Sequence, residues 1–123
     1  MIQSTLLKRS FATANKKIGF IGLGAMGMPM MKHCLNAGYD VTAYDVTDKA
    51  LTEARNAGAK AVTDPSDCGR DVDFCLTMVP GNAEVKDIYR NHLFKVANKG
   101  TYLLNASTIS PVLAKEISQE GQA

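Results

Sequence analysis

The 123-residue sequence has no tryptophan, only three cysteines and two histidines, and no uninterrupted apolar run of the length a membrane helix needs. Each scarcity closes a class of function. Cys34, Cys68 and Cys75 are odd in number and form no CxxC pair, which excludes a disulfide framework; Cys34 and Cys75 read as small buried hydrophobes. His33 and His92 stand far apart without metal-ligand spacing, so no metal is expected. No stretch approaches the roughly 20 apolar residues that span a bilayer, and no membrane partner is expected. The net charge of +2 arises in the first 17 residues, where Lys8, Arg9, Lys16 and Lys17 stand without an acid. The rest is slightly acidic and has no basic patch, so no nucleic-acid partner is expected.

The acid-free leader, rich in hydroxyl groups, has the composition of a mitochondrial transit peptide. On a helix Ile2, Leu6, Leu7 and Phe11 would share one face and Lys8 and Arg9 another, and Arg9 lies two residues before Phe11, as at a matrix-protease cut. The reading is a transit peptide over residues 1–16, a mitochondrial matrix location and one domain over 17–123; a disordered tail is the other reading of the same leader.

What is abundant is glycine in one place. The apolar run Lys17-Ile18-Gly19-Phe20-Ile21 breaks into Gly22-Leu23-Gly24-Ala25-Met26-Gly27 and continues as a helical pattern. In a Gly-x-Gly-x-x-Gly turn the first glycine allows the bend, the second lets backbone approach a pyrophosphate, and the third lets helix pack closely on strand. The helix N-terminus then offers free N–H groups to the anion. Such a turn is a dinucleotide site when a strand precedes it and a helix follows, as here.

Asp40-Val41-Thr42-Ala43-Tyr44-Asp45 supplies a second strand ending in a carboxylate 21 positions after Gly24. That acid can accept the adenosine ribose hydroxyls and would repel a 2′-phosphate, which favours NAD over NADP. Its other reading is a turn residue that starts the bend with Thr47 and Asp48.

Further on, helices are expected over 28–37, with Met31 and Leu35 on one face, and over 48–57, with Thr47 as N-cap, Leu51 and Ala54 inward and Gly58 as stop. A short strand is expected over 61–63 and a helical crossover from Pro65. A strand over 73–79 reads as buried on both faces. A helix over 83–93 places Val85, Ile88, Tyr89 and His92 at helical spacing; a strand over 102–106 and a helix over 112–120 complete the pattern. This alternation predicts an α/β doubly wound parallel Rossmann sheet of order 3-2-1-4-5. Ligand then sits at the switch between the first and fourth strands, where the turns at 22–27, at Val79-Pro80 and at Ser107-Thr108 converge. Capping of the last helix is the alternative task for Ser107 and Thr108.

Four blocks, Gly19 to Met30, Tyr44-Asp45-Val46, Thr77-Met78-Val79-Pro80 and Ser107-Thr108-Ile109-Ser110-Pro111, appear in an order that resembles the amino-terminal domain of the β-hydroxyacid dehydrogenases over residues 17 to about 120. The resemblance implies NAD contacts at Gly22, Leu23, Gly24, Ala25, Met26, Gly27, Asp45, Val79, Pro80 and Thr108, with Ser107 toward a substrate carboxylate. It implies hydride transfer from a small-molecule hydroxyacid, 3-hydroxyisobutyrate, to NAD in mitochondrial valine catabolism, and a homo-oligomer in a full-length form. Asn105 and Ala106 depart from the family's usual aspartate and small or hydroxylated residue, and residues 90–92 lack its glycines. The family's sixth strand, glycine-rich substrate loop and helical domain with the catalytic lysine have no counterpart, and Lys115 is not that lysine. The expectation is therefore an incomplete NAD-binding domain with no catalytic residue of its own; the alternative is a non-catalytic short form that binds a dinucleotide or a partner.

Overall fold

A computed structural model of the chain describes residues 16–107 and 109–122. Of the expected leader only Lys16 falls within that span, and Thr108 lies outside the described residues. The elements are β1 (Lys17–Ile21), α1 (Gly27–Asn36), β2 (Asp40–Tyr44), α2 (Asp48–Ala57), β3 (Lys60–Val62), a 3₁₀ turn (Pro65–Cys68), β4 (Phe74–Thr77), α3 (Asn82–Ile88), a π-helical turn (Tyr89–Leu93), α4 (Phe94–Val96), β5 (Tyr102–Asn105) and α5 (Pro111–Gln122). All pairings are parallel in the order β3-β2-β1-β4-β5, the doubly wound arrangement expected from the alternation of elements.

Alternation along the strands builds two cores. Ile18 and Phe20 of β1 join Val41 and Ala43 of β2 beneath Met28 and Met31 of α1 and Ala54 of α2. Ile21 and Cys75 face the other way, against Val85 and Ile88 of α3, Leu93, and Leu113 and Ile117 of α5. Helix α2 begins and ends as its sequence dictates. The Thr47 hydroxyl accepts the Ala50 N–H at 3.3 Å, and Gly58 closes it with φ of 113°.

Two elements, and the burial of Cys34, differ from expectation. Strand β4 is buried on one side only. Cys75 and Thr77 are fully buried, whereas Phe74 and Leu76 are half-buried because α1 and α2 lie over β1 to β3 on that face. Phe74 stacks on Tyr102 of β5 at 5.5 Å between ring centres, and Cys34, also only half-buried, lines the apolar cleft of about 430 Å³ beside them. The helix expected over 83–93 widens at Tyr89 into a π turn, which lets Val85, Ile88, Tyr89 and Leu93 all point into the core. His92 consequently sits at the rim, with Nδ1 2.8 Å from the Ser66 hydroxyl, tying the π turn to the 3₁₀ turn.

Gly19, inside β1, reflects a close approach of backbones. A methyl group there would run into the Cys68 carbonyl, so β1 and the 3₁₀ turn touch main chain to main chain. The Cys68 thiol is enclosed at the same place, pointing to Phe20 O at 3.8 Å and Thr42 O at 3.6 Å, and burial pushes its pKa up. Because a backbone carbonyl cannot move aside as a flexible side chain can, Gly19→Ala is expected to destabilise the fold by about 2–3 kcal/mol. Urea unfolding measures this; a loss below about 0.5 kcal/mol would contradict the packing described.

Candidate functional site

The carboxyl ends of β2, β1, β4 and β5 lie side by side, and the parallel ladder continues beyond the strands. Gly22 N donates to Tyr44 O at 2.9 Å, Met78 N to Ile21 O at 2.8 Å and Ala106 N to Thr77 O at 2.8 Å. These bonds bring the glycine turn, Asp45, Val79-Pro80 and Ser107 to one edge, as the strand order requires.

Within the glycine turn the three glycines act differently. Gly22 has φ of 100°, and a side chain on it would strike the Met78 carbonyl, so β1 and the turn after β4 pack main chain on main chain. A methyl on Gly27 would strike the Gly22 carbonyl, which fixes how closely α1 rises from the turn. Gly24 is exposed, and a methyl there would meet nothing within 4 Å. Its lack of a side chain is therefore not required by packing and leaves the approach to the main chain open. The N–H groups of Ala25 and Met26 have no acceptor among the described residues, and both residues are exposed at the start of α1. This is an anion-receptive arrangement of free donors and helix dipole.

Asp45 is bonded across the edge to that turn. Its Oδ1 accepts the Leu23 N–H at 3.1 Å, while Oδ2 accepts the Thr47 N–H at 3.2 Å and the Thr47 hydroxyl at 2.8 Å. Both readings of this residue thus have a physical basis: it organises the bend with Thr47 and it stands against the glycine turn. A carboxylate has about four lone-pair sites, and three are engaged. One acceptor position on Oδ1 remains, and the Thr47 hydroxyl is the exchangeable partner on Oδ2.

Val79 and Pro80 follow β4 directly, with Val79 half-buried and Pro80 exposed. The Ser107 hydroxyl accepts the Val79 N–H at 2.8 Å and donates to Thr77 O at 3.3 Å, while Ser107 N donates to Asn105 Oδ1 at 3.0 Å. Asn105, which departs from the family pattern, therefore closes the turn after β5 through its side-chain carbonyl. Helix α5 is capped instead by Ser110, whose hydroxyl accepts the Leu113 N–H at 3.1 Å, and Ser110 N donates to Asn82 Oδ1 at 3.0 Å. Beneath the Val79 turn the Thr77 and Tyr89 hydroxyls are shut away from water, and burial pushes the Tyr89 phenol up to about 12.

Val46, which belongs to the Tyr44-Asp45-Val46 block but not to the expected NAD contacts, is 83% exposed beside Asp45. Among the described residues no three acidic, histidine or cysteine side chains gather as a metal site.

The division of labour among the glycines has a stability consequence. Gly22→Ala and Gly27→Ala are each expected to lower stability by about 2 kcal/mol or more through backbone overlap, and Gly24→Ala by less than about 0.5 kcal/mol. Thermal unfolding of the three variants checks this; equal losses for all three would contradict it.

A family model describing the NAD binding domain of 6-phosphogluconate dehydrogenase matches residues 17–123. The chain is 38% identical over 105 residues to human mitochondrial 3-hydroxyisobutyrate dehydrogenase, an alignment covering 84% of this chain and 31% of that protein. It thus spans about a third of the length of the curated relatives it matches. The structure of Mycobacterium tuberculosis 3-hydroxyisobutyrate dehydrogenase with L-serine superimposes with a TM-score of 0.82 at 29% identity, covering 87% of this chain and 36% of that one. An imine reductase variant from Myxococcus stipitatus, solved with NAD+, shares the fold at a TM-score of 0.75 and 21% identity, covering 87% of this chain and 36% of that chain. On the match to residues 17–123, the chain belongs to the family of NAD binding domains found in 6-phosphogluconate dehydrogenase, and it is homologous to 3-hydroxyisobutyrate dehydrogenase within the β-hydroxyacid dehydrogenases.

Proposed function

We propose that NAD lies along the carboxyl edge of the sheet from β2 to β5, and that this chain is the cofactor-holding part of a dehydrogenase acting on a 3-hydroxyacid. The observation that carries the reading is the bond from the glycine turn to Asp45, which seats the carboxylate next to the free N–H groups of the turn. Adenosine ribose would meet Asp45, with Val46 offering an apolar flank to the base, and the pyrophosphate would meet Gly24, Ala25 and Met26 between Leu23 and Gly27. Gly22 shapes that turn. The nicotinamide half would then cross to Val79, Pro80, Ser107 and Thr108, where a substrate carboxylate would also be received.

Bound NAD supplies the acceptor for a hydride leaving the hydroxyl-bearing carbon. The chain's own residues orient it: the turn donates N–H groups, Asp45 fixes one ribose, and Pro80, lacking an N–H, bounds the other end. Orientation of this kind can account for several kcal/mol of a reaction barrier. The proposed substrate is 3-hydroxyisobutyrate, in valine catabolism, supported by the names of the relatives. The acid-free leader and the mitochondrial relatives support a transit peptide over residues 1–16, a matrix location and an NAD-binding unit over 17–123.

Because Asp45 also holds the turn through Leu23, its removal acts on any dinucleotide, and the ratio of affinities isolates the ribose contact. Asp45→Ala is expected to weaken NAD about tenfold or more while NADP, already disfavoured by the carboxylate, loses much less. Calorimetry with both cofactors measures this. An unchanged NAD to NADP affinity ratio would defeat the ribose assignment.

A further inference from the structure

The half-buried Ser107 engages two protein partners through its hydroxyl, which keeps one acceptor lone pair. It accepts the Val79 N–H at 2.8 Å and donates its single proton toward Thr77 O at 3.3 Å. The Val79 N–H belongs to the same peptide plane as the Met78 carbonyl, and that carbonyl is the group packed on the bare Cα of Gly22. One peptide is thus gripped at both ends: its oxygen by the glycine turn of β1, its hydrogen by a side chain from the turn after β5. The residue that follows is Pro80, whose ring restricts the backbone of Val79 and offers no N–H to re-anchor the segment.

We propose that Ser107 is a positioning residue for the cofactor. Its hydroxyl is a strut that holds the Met78–Val79 peptide against Gly22 and so sets the spacing between the glycine turn and Val79-Pro80, the gap that receives the nicotinamide half. This rests on the cofactor orientation proposed above. Asn105 completes the device by accepting Ser107 N at 3.0 Å, which fixes the serine backbone from which the hydroxyl reaches. Without the hydroxyl the Val79 N–H loses its acceptor in a half-buried turn, and the peptide is held by its carbonyl end alone.

The strut is on the β4–β5 side of the glycine turn, whereas Asp45 is on the β2 side. A ligand that ends at the pyrophosphate therefore does not feel it, and one that continues across the switch point does. The test uses the 123-residue chain with two probes, NADH and ADP, each measured by calorimetry, with NADH fluorescence as a second readout. Ser107→Ala is expected to weaken NADH about fivefold or more, corresponding to one lost hydrogen bond, and to leave ADP within about twofold. Ser107→Thr, which restores the hydroxyl, is expected to return NADH to within about twofold of the natural chain. Should Ser107→Ala fail to fold, Ser107→Cys, with a thiol that is a weak donor and acceptor, carries the same expectation.

Equal weakening of NADH and ADP would mean a general structural role and would overturn the proposal, as would a Thr variant as weak as Ala or an Ala variant unchanged for NADH. If the natural chain bound ADP but not NADH, the crossing of the switch point and the strut would both be wrong. If it bound neither, the cofactor site itself would fall, an outcome distinct from failure of the strut alone.

Discussion

Gly22 leaves β1 with φ of 100° and no side chain, so the Met78 carbonyl from the neighbouring strand rests directly on its backbone. That contact between two main chains fixes where the turn after β4 can stand relative to the turn after β1. Its consequences spread along the edge of the sheet. The Gly22 carbonyl in turn sets the height of α1 through Gly27, and the Gly22 N–H ties to Tyr44 O, which positions Asp45 one residue later. Asp45 then reaches back to Leu23. A loop of contacts from β4 through β1 to β2 is closed almost entirely by backbone, and backbone is the part of a protein least able to drift.

The same contacts explain why folding and binding are entangled at some residues and separate at others. In the proposed reading Asp45 serves both, since Oδ1 holds the glycine turn and keeps one acceptor position while Oδ2 holds Thr47. Gly22 and Gly27 serve the fold first. Of the three, Gly24 is free of packing demands, and its bare backbone beside N–H groups without an acceptor among the described residues leaves room for the proposed ligand.

Much of this was legible in the sequence because the signals are local. Glycine spacing, the acid at the end of the second strand, the Thr47 cap and the Gly58 stop each depend on neighbours a few residues away, and right-handed crossovers convert their order into the strand order. The features that were not legible depend on residues far apart in the chain. The Ser107 hydroxyl meets a backbone 28 residues earlier, and Gly19 is glycine because Cys68 lies against it. The half-covered face of β4 could not be read from an apolar run, since burial on two faces requires helices on both and the run does not report which strands α1 and α2 overlie. The π turn at Tyr89 adds a residue to the helical turn and so brings Leu93 to the inward position that regular spacing from Val85, Ile88 and Tyr89 gives to His92.

The account stands on the claim that a dinucleotide lies across the carboxyl edge of the sheet, and mapping amide resonances of the isotope-labelled chain during titration with NAD tests it most directly. Saturable shifts are expected at Gly24, Ala25, Met26, Asp45, Val46, Val79 and Ser107, with β3 and the amino ends of the strands unmoved. Absence of saturable shifts, or shifts gathered around Phe74, Tyr102 and the apolar cleft beside them, would contradict it.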